Sequence, residues 1–192
     1  MIVNKKVLEI SEKFKYKINI NYPITKFNNV NKDIKNMIDN IIESFIDNSK
    51  RNIMLNLYYT LYITYKEYKY KNIISYIFKV REFTKEAHTN NYLKSFGFDC
   101  NGNIITIDTL ISIDKNILIK LSNESRKILL SKSEFKSNSL INMILDKTRP
   151  NKNNFKNYAL TKDGVLVFFD YFQLGSYYYD VQKVLISYDK LL

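Results

Sequence analysis

One histidine, His88, and one cysteine, Cys100, are the whole stock of imidazole and thiol in this 192-residue chain. Imidazole titrates near neutrality, so His88 is the side chain best suited to general-base work or ligand contact. Catalysis by histidine also needs a nucleophile, a second ligand or an orienting partner, and the sequence offers no recognisable one. His88 is therefore expected to be a turn residue whose ring bonds backbone between Arg81 and Tyr92, with ligand contact as its functional alternative. A His-rich metal site is impossible with one histidine, so carboxylates or Cys100 would have to serve; neither a metal nor a cofactor is expected. Gly97, Gly102, Gly164 and Gly175 stand singly, which leaves no phosphate-cradling loop, and there is no serine nucleophile elbow. Asp99, Asp108, Asp114 and Asp170 fall at strand ends or turns, where aspartate accepts from orphan backbone N–H groups. No residue is assigned a catalytic role.

The chemistry that remains is aromatic. The run from Met54 to Tyr70 alternates, with Leu55, Leu57, Tyr59, Leu61, Ile63 and Tyr65 on one face and a Tyr/Thr ladder of Tyr58, Thr60, Tyr62, Thr64 and Tyr68 on the other. Tyrosine stacks on sugars and bases and presents a hydroxyl, so Tyr58, Tyr62 and Tyr68 are candidate ligand contacts. A second cluster spans Phe168 to Tyr179. It is expected to plug the end of a sheet, with Tyr178 and Tyr179 as the members that face solvent and can touch a ligand.

Elements that position these residues follow from periodicity. Phe14, Tyr16, Ile18, Ile20 and Tyr22 alternate with lysines and asparagines, which predicts a half-buried strand over Lys13 to Tyr22. From Asn31, read as an N-cap, Ile34, Met37, Ile38, Ile41, Ile42 and Phe45 repeat at three and four, the stripe of a helix to Asn48 that packs on a sheet. Asn72 to Arg81 reads as a strand returning from Tyr70. Tyr92 to Phe98 and Asn103 to Ile107 read as a hairpin across Asn101-Gly102. Helices are expected over Asn116 to Leu130 and Asn138 to Lys147, with a loop around Pro150. Phe155 to Thr161, Val165 to Phe169 and Val181 to Tyr188 read as strands, the first two joined by an Asp-Gly hairpin turn. The fold class is α+β with mostly antiparallel sheets. An N-terminal lobe over 1–85 carries the helix on its sheet, and a strand-rich C-terminal lobe covers 86–192, both in one compact unit.

Net charge is +11, from 30 lysines and arginines against 19 acids. Such a balance favours anionic partners, although the lysines are dispersed along the chain and form no basic tail. No apolar run is long enough to span a membrane. If Met1 is the native start, the absence of a signal-like apolar segment implies a cytoplasmic protein; if the chain is trimmed from a longer one, it is extracytoplasmic.

Two blocks carry a family resemblance. The segment EAHTNNYLKSFGFDCNGNIITIDTL at 86–110 and the segment NNFKNYALTKDGVLVFFDYFQLGSYYYDVQKVLISYDKLL at the C-terminus resemble, in order, the signatures of the bacterial domain of unknown function in RsiV-type anti-sigma factors and PdaC-type peptidoglycan deacetylases. Glu86 stands where that family usually has Gly, Tyr171-Phe172-Gln173 where it has Pro-Tyr-Glu, Ser176 for Pro and Asp180 for Gly. The resemblance implies an α+β binding or sensing module for a cell-wall glycan or protein. It implies no catalysis, because the deacetylase activity belongs to a separate domain whose His and Asp motifs are absent here. RsiV-type relatives bind lysozyme, a partner that like charge disfavours for a chain this basic. The alternative is a leaderless cytoplasmic nucleic-acid-binding protein, stacking bases on tyrosines and pairing phosphates with lysines; a hydrolase with an unrecognised site comes third.

Overall fold

The computed structural model describes residues 3–51, 58–83, 89–175 and 180–191. His88, Tyr178 and Tyr179, and the first part of the Met54 to Tyr70 run, lie outside the described residues. The order of elements is β1 (Val3–Ser11), β2 (Tyr16–Ile24), α1 (Asn28–Arg51), β3 (Tyr59–Tyr70), β4 (Ile73–Phe83), β5 (Asn90–Phe98), β6 (Ile104–Ile105), α2 (Ile107–Ile113), α3 (Ile117–Ser131), α4 (Asn138–Lys147), β7 (Tyr158–Thr161), β8 (Gly164–Phe169) and β9 (Gln182–Ile186). Strands β1 to β6 form one sheet in sequence order, and β7 to β9 form another. This is an α+β fold in which antiparallel pairing predominates.

Contacts divide the chain into two compact units. One comprises Met1–Lys66, Phe78–Tyr92 and Asn101–Asn103, and the other Glu67–Ile77, Leu93–Cys100 and Ile104–Leu192. The divisions fall inside β3, β4 and β5.

In the first unit, β1 and β2 form an antiparallel hairpin. Its turn includes Lys15 in the left-handed region at φ 50°, and the Phe14 amide donates to Ser11 Oγ at 3.2 Å. Alternation therefore starts at Tyr16 rather than Lys13. Strand β1 itself has no sequence signature: most of its side chains are exposed whichever way they point, so nothing forces a period of two. The β2–β3 pair is parallel, with Ile18 opposite Leu61 and Ile20 opposite Ile63. Parallel neighbours cannot be joined by a tight turn, and α1 is the long crossover between them. It buries Val30, Ile34, Ile38, Ile41 and Phe45, the expected stripe extended by one turn. The Phe45 ring meets Tyr16 edge-on at 6.2 Å. Asn31 lies inside the helix rather than capping it: its Oδ1 accepts from the Thr25 amide at 2.8 Å and its Nδ2 donates to the Thr25 carbonyl at 2.9 Å, clamping the approach to the helix.

In the second unit, β7–β8–β9 is an antiparallel meander. Its core joins Val165, Val167, Phe169, Val184 and Ile186 of the small sheet to Leu121 and Leu129 of α3, Ile144 of α4 and Phe155. A second cluster sets Ala159 and Phe168 against Ile77 and Leu93. Three bonds fasten these strands through side chains: the Leu160 amide donates to Ser75 Oγ at 3.2 Å, Ser95 Oγ donates to the Lys156 carbonyl at 2.6 Å, and the Leu93 amide donates to Asp170. Three expected strands are shorter than anticipated; the last, Val181 to Tyr188, is strand only over Gln182–Ile186, and Tyr188 starts a 3-10 turn. Thr106 and Thr109 close a reciprocal capping box, so Ile107 begins α2 instead of extending the strand from Asn103. Lys152–Phe155 forms a short 3-10 turn, and β7 starts at Tyr158. Helices α3 and α4 fall where periodicity puts them. Among the described residues, no helix is long and apolar enough to cross a membrane.

Candidate functional site

In the first unit, α1 takes one face of the sheet, and among the described residues the other face is exposed at Leu8, Ile10 and Tyr62. Register defines that face. Leu8 pairs with Asn19, and Asn19 with Tyr62; Ile10 pairs with Lys17, and Lys17 with Thr60. Strand alternation points all of these away from the Ile18, Ile20, Leu61 and Ile63 core. Leu8 is 65% exposed, Ile10 54% and Tyr62 44%. On β4 the Phe78 ring lies 5.9 Å from Tyr65, on the core side. Buried Phe78, Val80 and Glu82 therefore point inward, and Lys79 and Arg81 outward with Tyr62. The face combines apolar Leu8 and Ile10, an exposed tyrosine, and the cations Lys6, Lys17, Lys79 and Arg81. None of these strand positions carries a carboxylate.

Tyr58 borders this face just before β3 and is already engaged. Its hydroxyl donates to Glu12 Oε2, and Lys17 Nζ and Lys15 Nζ stand 4.4 and 5.4 Å from its ring centroid. The Tyr58 hydroxyl, and after it the Lys15 ammonium, holds the Glu12 carboxyl below the usual range, and the Glu12 bond raises the Tyr58 phenol. Phe14 adds a second ring in contact with cations, Lys13 at 5.2 Å and Lys50 at 5.5 Å. A cation over a ring is attracted to its quadrupole, so this corner fixes the positions of several lysines.

The tyrosine ladder is divided between the two units. Tyr58 and Tyr62 belong to the first unit, whereas Tyr68 belongs to the second and packs edge-on against Phe168 at 5.9 Å. Tyr171 likewise packs on the Phe168 cluster, while Phe172 is exposed.

Glu82 escaped the sequence reading as a polar centre, whereas Asp170 accepts from backbone N–H groups as expected of a turn aspartate. Glu82, buried at the end of β4, accepts from Tyr92 Oη at 2.6 Å and from Asn90 Nδ2 at 3.4 Å; its parity with Phe78 and Val80 was the available signal. Asp170 accepts the Leu93 amide at 3.0 Å on each oxygen and the Tyr171 amide at 2.9 Å, with Asn157 Nδ2 at 3.5 Å. Burial raises the Asp170 carboxyl, and the Leu93 and Tyr171 amides pull it partly back. Its bonds complete the edge of β5 and engage both of its oxygens. Among the described residues, no group of three or more His, Cys, Asp or Glu is placed to hold a metal ion.

Known proteins share this architecture. A DUF3298 family protein of Pseudomonas aeruginosa superposes with a TM-score of 0.65 over 100% of this chain and 93% of its own, at 13% identity. A DUF3298 member from Bacteroides fragilis gives 0.63 over 98% and 90%, at 15% identity. The fold is that of the DUF3298 structures. In sequence the chain is similar to the peptidoglycan-N-acetylmuramic acid deacetylase PdaC of Bacillus subtilis, with 27% identity over 131 residues. That alignment takes in 65% of this chain but only 27% of PdaC. No family profile matches the sequence.

Proposed function

We propose that this chain is a non-catalytic binding module that holds an anionic cell-wall glycan on the open face of β1 to β4. The observation that carries the reading is Tyr62, exposed among Lys17, Lys79 and Arg81 with no carboxylate at the described positions of the face. A tyrosine ring stacks on the C–H face of a sugar, and surrounding cations meet acidic substituents of the polymer. Similarity to a stretch of PdaC, whose name states that it acts on peptidoglycan, favours a wall glycan over other polyanions. Sensing of lysozyme, as in RsiV-type relatives, fits less well: a basic protein would meet a face whose described strand positions carry cations, and the acid at its border, Glu12, is already engaged by Tyr58 and Lys15.

The test titrates purified peptidoglycan fragments and single-stranded oligonucleotides against wild type and Tyr62→Ala at two salt concentrations. Glycan binding is expected, with a loss of about 1–3 kcal/mol on truncation, by analogy with stacking on aromatic platforms. Oligonucleotide binding with a steep salt slope would replace the glycan by nucleic acid, because phosphate contacts release counterions. Binding to neither would reject the face as a polymer site.

A further inference from the structure

We infer that the free edge of β1 pairs with β1 of a second copy of this chain, antiparallel and two-fold symmetric, with Val7 opposite its own counterpart. Among the described residues β1 is the terminal strand of its sheet and is bonded only to β2. It is nine residues long and contains no proline. An edge of that length, with its outer amides and carbonyls unpaired, is a template for another strand.

Symmetry and charge choose the occupant and the register. In two-fold antiparallel pairing one residue must face its own copy. Centring on Lys5 or Lys6 opposes like charges, which is the usual way an edge is protected. Centring on Leu8 opposes Lys5 to Ser11 and gains no charge pair. Centring on Val7 opposes Lys5 to Glu9 of the second copy, and by symmetry does so twice. Both side chains are exposed. Glu9 is oriented by Tyr16 Oη, which donates to its Oε1 at 2.5 Å, leaving Oε2 for the incoming ammonium. In this register Leu8 becomes a diagonal neighbour of Leu8 in the second copy, giving an exposed apolar side chain a partner. The axis is perpendicular to the sheet, so the open faces of both copies lie on one side. The inference stands on β1 alone and does not require the glycan reading.

Sedimentation of the wild type at tens of micromolar in physiological salt, where repulsion between two basic chains is screened beyond about 8 Å, is expected to show dimers. Glu9→Lys and Lys5→Glu should each weaken association at least about tenfold. The double variant Lys5→Glu/Glu9→Lys should restore it. In a Cys100→Ser background, Val7→Cys should form a disulfide-linked dimer on mild oxidation and Leu8→Cys should not, since only the first is directly opposed across the pair. A monomeric wild type, a double variant as weak as the singles, or stronger linking through Leu8→Cys overturns the inference.

Discussion

Removing the Asp170 carboxylate tests whether a side chain can serve as the missing neighbour of a strand. Asp170→Ala withdraws the acceptor of the Leu93 amide, held at 3.0 Å by both oxygens, and of the Tyr171 amide at 2.9 Å. Leu93 is only 4% exposed, so water does not replace the lost oxygen. A buried amide left unpaired costs about 1–3 kcal/mol. Tyr171 is part-exposed and can recruit water, and relief of a buried charge offsets part of the loss. The net expectation for Asp170→Ala is a destabilisation of about 1–3 kcal/mol, and for Asp170→Asn, which keeps an acceptor, under about 1 kcal/mol. The pH dependence has a definite sign. Burial raises the folded-state pKa, so the folded protein binds this proton more tightly than the unfolded chain. The associated stability is fully present below the unfolded value of about 3.9 and is lost as pH rises through the folded one. Wild type should therefore lose stability relative to Asp170→Asn between pH 4 and neutrality. Urea unfolding followed by circular dichroism is the assay, the chain having no tryptophan. If the Ala and Asn variants match within about 0.5 kcal/mol, the scale of an ordinary surface change, or if the wild-type advantage over Asn grows with pH, the reasoning is wrong.

Gly164→Ala should be the most damaging small substitution in the second unit. At φ 146° its added Cβ would stand 2.0 Å from the Ile186 carbonyl oxygen and 2.7 Å from its carbon, so β8 and β9 must part. A loss of at least about 4 kcal/mol is expected in urea unfolding, against under about 0.5 for Lys162→Ala in the same turn. In alkaline titration by absorbance, Tyr188 and Tyr158 should ionise after the exposed tyrosines. Burial pushes Tyr188 up to about 12 and Tyr158 higher still. Raised folded values mean stability intact below about pH 10 and lost as pH climbs through them; ionisation of all tyrosines together, while the fold persists, would contradict this.

Periodicity carries the parts of the fold whose side chains divide between two environments. Tyr16 to Tyr22, the Ile34 to Phe45 stripe, and helices α3 and α4 are legible because each has one buried and one wet side. Strand β1 is not, since nearly all of it is wet. Helix α2 is hidden because it is short and its capping threonines resemble the strand residues before them. The parallel pairing of β2 with β3 leaves no local trace, being decided by where α1 can dock. The same holds for the candidate site: exposed Tyr62 follows from alternation, but the packing of Tyr68 on Phe168 depends on a residue far along the chain and leaves no local trace. Asp170 reads as a turn residue in sequence, and its function is set by Leu93, 77 positions away.

The parallel β2–β3 pair also constrains the order in which the first unit can assemble. Antiparallel hairpins such as β1–β2 close within a few residues and need no outside help. Strands β2 and β3 cannot register until the chain between them has been shortened into a helix and turned back, so their pairing waits on α1. Shaving the buried stripe of α1, for instance at Ile38, should then slow refolding, whereas changes in β1 should leave that rate alone and hasten unfolding. The long helix that closes one face of the sheet is thus also the step that sets the pace at which the other face comes into being.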